Sequence, residues 1–109
     1  MRYMMMTKAT DATPVADEKM FAEMSAFIEE LTASGVLLAT GGLAPNGTLV
    51  SSAGGEITIT DGPFTETKEA VVGFALVEAR SKEEAVELAR RFRRIVGDGE
   101  SVLQEVFTG

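Results

Sequence analysis

The stretch from Ala70 to Ala79 constrains this chain most, because it is apolar on both faces of an extended strand. Val71, Ala75 and Val77 fall on one side, and Val72, Phe74 and Leu76 on the other. A strand of this kind must be covered from both sides, since either face left in water forfeits its burial energy. The rest of the sequence can therefore be read for what does the covering.

Two amphipathic helices supply cover. Asp17 opens a helix running to about Ser34 and stopped by Gly35, with Met20, Phe21, Met24, Phe27, Ile28 and Leu31 as its apolar stripe. Ser81-Lys-Glu-Glu84 forms a capping box ahead of a second helix, which carries Ala85, Leu88, Ala89, Phe92 and Val96 on one side. Arg90, Arg91, Arg93 and Arg94 load its last turns, where the helix dipole is negative and cations are structurally at home. Gly97-Asp98-Gly99 ends it.

Strands fill the intervals. Residues 2–8 place Tyr3 and Met5 on one face and Met4 and Met6 on the other. Val36 to Ala39 runs into Gly41-Gly42-Leu43, and Pro45-Asn46-Gly47 makes a turn. Segments 48–52 and 56–60 flank Ala53-Gly54-Gly55, and residues 101–107 form a last strand with Val102, Leu103, Val106 and Phe107. The order is β-α-β-(β-β)-β-α-β, an α+β, ferredoxin-like arrangement with an inserted hairpin, in one domain spanning residues 1–109. Both helices then cover one face of an antiparallel sheet, and the doubly apolar strand requires cover on the other. A second copy of the same sheet is the simplest cover, so a homodimer is expected.

With 10 basic against 17 acidic residues, the net charge of −7 repels phosphate backbones and anionic lipid, which argues against nucleic-acid and membrane partners. No apolar run reaches a transmembrane length and the start lacks the form of a signal peptide, so the expected location is the cytoplasm. Cysteine and histidine are both absent, which removes thiol nucleophiles, imidazole bases, the Ser-His-Asp triad and zinc ligation of the usual kind. No dense oxygen cluster suggests a Mg²⁺ or Ca²⁺ loop and no glycine-rich phosphate cradle is present, so neither a metal nor a cofactor is expected.

The segment Ile57-Thr-Ile-Thr-Asp-Gly-Pro-Phe-Thr-Glu-Thr-Lys-Glu69 resembles the signature of the YCII-related proteins, in the branch called the DGPF family. The resemblance extends to Arg2-Tyr-Met-Met-Met6, to Gly41-Gly42-Leu43, and to Gly73-Phe74 with Ser81 to Ala89. It implies a dimeric α+β barrel, similar in architecture to muconolactone isomerases and heme-free monooxygenases. Family members are often encoded beside extracytoplasmic-function sigma factors, which implies a possible sigma-factor association. The narrower YCII branch has a proposed His–Asp couple. Asp61 is the position that matches its Asp, and no residue here matches its His. The Glu-Val-Arg-Pro ending of the family is Gln104-Glu-Val-Phe107 in this chain, without the Arg.

Acid–base chemistry would fall to Asp61 as general base, with Tyr3 or Lys68 as proton donor or oxyanion partner. The competing reading makes Asp61 the first residue of an Asp-Gly turn, Lys68 a surface ion-pair partner and Tyr3 an ordinary packing residue. Met5, Phe64, Glu66 and Phe74 are the candidate ligand contacts. Three functions follow. The first is a protein that binds a small apolar or aromatic molecule in a cleft between sheet and helices, with a regulatory role. The second is a cofactor-free isomerase, cyclase or decarboxylase using Asp61. The third is a docking domain for a sigma factor.

Overall fold

The structure, a computed structural model, describes residues 1–9, 17–44, 46–62 and 70–107. Its elements follow the expected order: β1 (Arg2–Lys8), α1 (Glu18–Ala33), β2 (Leu37–Gly42), β3 (Thr48–Ala53), β4 (Glu56–Asp61), β5 (Val71–Glu78), α2 (Lys82–Val96) and β6 (Ser101–Val106). The four-stranded sheet runs β2-β5-β1-β6 and every pairing in it is antiparallel. That is the ferredoxin-like strand order. The β3–β4 hairpin forms a sheet of its own.

Register decides which side chains face the helices. Tyr3 pairs with Val77 and Met5 with Ala75, while Met5 also pairs with Leu103 of β6. Directly opposed residues share a face, so these side chains lie together. Tyr3, Val77, Ala79 and Ala85 are buried as one cluster, with Val36, Leu37, Leu88 and Leu103 packed against it. Ala85, in the first turn of α2, is fully buried, and its small side chain lets the helix approach the sheet closely.

Both helices begin where local chemistry dictates. Asp17 accepts a hydrogen bond from the Met20 amide at 2.8 Å, and Ser81 accepts one from the Glu84 amide at 3.1 Å. Each satisfies a backbone donor that the first turn would leave unpaired. At the far end of α2, Arg93 donates to the Gly97 carbonyl at 2.8 Å and to Ser101 Oγ at 3.3 Å. It thereby ties the helix terminus to β6, the structural role expected of cations there.

Between the helices, Arg91 of α2 grips Glu30 of α1 through two hydrogen bonds of 2.7 and 2.9 Å. The same guanidinium lies 4.7 Å above the Phe27 ring. Hydrogen bonding from Arg91 holds the Glu30 carboxyl below its ordinary range.

Two residues depart from the sequence expectation. Phe21 belongs to the expected stripe of α1 yet is 64% exposed. It sits roughly 80° around the helix from Leu31, at the margin of the buried stripe and in the first turn. Phe107 lies beyond the end of β6 and is exposed rather than part of that strand.

Replacing Ser81 by Ala should cost about 1 kcal/mol in urea unfolding, through loss of the α2 cap. A folded pKa held low contributes stability that is present above the unfolded value of 4.5 and lost as pH falls through the folded value. Glu30→Gln should therefore be less stable than wild type at neutral pH, and the difference should close in acid.

Candidate functional site

The helix-facing side of β5 reads Gly73, Ala75, Val77, whereas the opposite side reads Val72, Phe74, Leu76. Small residues on the inner side leave room beneath the helices. A cavity of about 270 Å³ occupies that room.

Its roof consists of Met24, Phe27, Ile28 and Leu31 from α1, with Ala85, Leu88 and Phe92 from α2. Its floor includes Met5 and Thr7 from β1, Leu103 from β6, and Leu37 and Thr40 from β2. Among the described residues no ionisable side chain lines it. The polar side chains on the wall are two threonines, both already engaged. Thr40 Oγ1 donates to the Phe74 carbonyl at 2.9 Å, and Thr7 Oγ1 shares a 3.5 Å contact with Ser101 Oγ.

The candidate ligand contacts divide in two. Met5 and Phe74 border the cavity. Register places the Phe74 ring on the far side of the sheet, against Gly41, where a Cβ would come within 3.1 Å of the ring. Phe64 and Glu66 lie outside the described residues.

The candidate catalytic residues are not brought together. Asp61 ends β4, is exposed, and accepts a hydrogen bond from Thr48 Oγ1 at 2.9 Å. Tyr3 lies in the core of the other sheet. Burial, followed by the nearby Glu105 and Glu83 carboxylates, holds its hydroxyl above the ordinary value of 10.0. Neither residue lines the cavity, and Lys68 lies outside the described residues.

Phe27, Leu31, Leu88, Phe92 and Thr40 were not singled out as site residues by sequence. The helical stripes and the small Gly73 and Ala75 of β5 are the signals that could have found them.

The family model of the YCII-related domain matches residues 1–103. The chain belongs to the YCII-related family. An uncharacterised protein of Rhizobium meliloti (strain 1021) is 39% identical over 77 residues, a match that spans 68% of this chain and 61% of that relative's length. Among solved structures, 5-chloro-2-hydroxyhydroquinone dehydrochlorinase (TftG) of Burkholderia phenoliruptrix AC1100, in complex with 2,5-dihydroxybenzoquinone, aligns over 100% of this chain and 96% of its own. The TM-score is 0.61 at 16% identity, a likeness of fold. It agrees with the ferredoxin-like α+β fold expected for this chain. No helix among the described residues is long and apolar enough to cross a membrane.

A tyrosine whose folded pKa is raised adds stability that is fully present below the unfolded value and is lost as pH rises through the folded one. Thermal melts from pH 8 to 12 should show a steeper alkaline loss for wild type than for Tyr3→Phe. Equal slopes would mean that the Tyr3 hydroxyl titrates alike in both states.

Proposed function

We propose that this YCII-related protein binds a small, uncharged apolar or aromatic molecule in the cavity between its sheet and helices. The observation that carries the reading is the cavity wall, which has volume and apolar surface but no ionisable side chain among the described residues. A charged ligand would lose its hydration there with no counter-charge to compensate, whereas a neutral one gains from burial.

An apolar occupant would gain by burying its own surface against this wall, at about 25 cal/mol per Å². Six of the core residues, Met5, Phe27, Leu31, Ala75, Val77 and Ala85, border this space. TftG adds a weaker support for a small ring-sized ligand, though not for its neutrality, since that protein of the same fold forms a complex with 2,5-dihydroxybenzoquinone.

The enzyme alternative, with Asp61 as base and Tyr3 or Lys68 as its partner, has less behind it. Asp61 stands on the hairpin sheet and Tyr3 faces the helix-side core, so no shared reaction centre supports it.

The same chain is proposed to work as a homodimer. Support comes from the far face of the sheet, where Met4, Met6, Phe74 and Leu76 are only partly covered and Val72 is 44% exposed. The helices do not reach that side.

The test is a thermal-shift comparison of methyl 2-naphthoate with 2-naphthoate, a pair differing chiefly in charge. The neutral ester should raise the melting temperature by several degrees near saturation, because binding to the folded state alone adds about 2.7 kcal/mol at a hundredfold excess over Kd. The carboxylate should give little. Ala75→Leu, which fills the cavity from the floor, should abolish the shift, and Asp61→Asn should keep it. No shift from any neutral aromatic would remove the binding reading. Equal shifts from ester and acid would remove its restriction to uncharged ligands.

A further inference from the structure

The β3–β4 hairpin is built to be covered, and within the described chain nothing covers it. Its register pairs Val50 with Ile59, Ser52 with Ile57 and Thr48 with Asp61, so these side chains share one face. The other face carries Leu49 with Thr60 and Ser51 with Thr58. Val50, Ile57 and Ile59 are 63%, 66% and 69% exposed. Gly54 and Gly55, at φ 58° and 81°, give the connecting turn the positive-φ geometry that suits a tight hairpin.

The hairpin is therefore well specified locally and amphipathic. Its extended contacts are within itself, and it shares no sheet with the body. An isolated two-stranded hairpin is marginal in water. The arm also enlarges the molecule: the radius of gyration is 16.2 Å, against about 13 Å for a compact chain of this length.

We infer that the Val50–Ile57–Ile59 face of the arm packs on a second copy of this chain, clasping the homodimer proposed above, on which the inference rests. Charge favours a copy of itself at this surface. Each chain carries −7, so two copies can approach only through faces that carry little net charge. The far face of the sheet meets that condition. It presents Met4, Met6, Val72, Phe74, Leu76, Val102 and Gln104; Arg2 and Glu78 lie 3.4 Å apart at one end, and Lys8 closes the other end of β1. The arm face meets it too, with Asp61 at its base the one ionisable group.

Area favours a contribution from the arm. Four strands at about 4.8 Å spacing and about 20 Å long project about 400 Å². That is roughly half of the about 800 Å² per partner buried in a stable interface of standard size. The two strands of the arm add about 200 Å² more in projection. A two-fold axis lets each arm lie on the other copy, so one isologous contact covers both arms and both sheets.

Sedimentation equilibrium of the full chain tests this with three variants. Val50→Lys/Ile59→Lys, on the apolar arm face, should weaken the dimer at least tenfold. Ser51→Lys/Thr58→Lys, on the opposite arm face, should leave it unchanged. Leu76→Lys should weaken it through the sheet. Arm amides should also exchange hydrogen more slowly in concentrated than in dilute wild type. A wild-type dimer indifferent to Val50→Lys/Ile59→Lys, or arm amides whose exchange ignores concentration, would overturn the clasp and leave the sheet-mediated dimer standing. A wild type that stays monomeric at every concentration would overturn both.

Discussion

The structure depends on the burial of β5. That strand lies between β1 and β2, so its backbone is satisfied from both edges and its side chains have to be satisfied from both faces. The helix layer answers for one face. It does so incompletely, because Gly73 and Ala75 are too small to reach the roof above them, and the cavity follows from that deficit. The other face, with Phe74 and Leu76, is the larger and the less covered. One strand thus sets both the internal space and the partly exposed apolar outer face.

Most of the architecture was legible in the sequence because its signals are local and agree with one another. Asp17 and Ser81 cap where they were expected to, and Gly54-Gly55 turns the hairpin. The apolar character of both faces of β5 was also legible, whereas the void above Gly73 and Ala75 belongs to three dimensions. A void depends on how far α1 and α2 stand from the floor, and no residue spacing encodes that distance. Phe21 shows the same limit from the other side. Its periodicity put it in the stripe, but burial depends on whether sheet lies beneath that turn.

The site was legible only in part. Met5 and Phe74 were named and border the cavity, while the helix residues that form its roof read from sequence as ordinary core. A ligand-lining leucine and a packing leucine carry the same signature. Asp61 drew attention for the opposite reason, as a distinctive residue in a distinctive segment. In the fold it anchors the base of the arm through Thr48, remote in topology from the apolar space. Distinctiveness in the sequence marked the arm's root, and the cavity lay among residues that look unremarked.

The Glu30–Arg91 link has a consequence for how the protein breathes. Phe27 and Leu31 flank Glu30 on α1, Leu88 and Phe92 flank Arg91 on α2, and all four of those neighbours form the roof. The ion pair is therefore a strap across the ceiling, and it is more than a third exposed at both ends. Exposed ion pairs weaken as salt rises, with a screening length of about 8 Å at physiological ionic strength. Salt would thereby loosen the link between the two helices above the cavity, and under the binding reading proposed above it would ease an apolar molecule's passage without any charge touching that molecule.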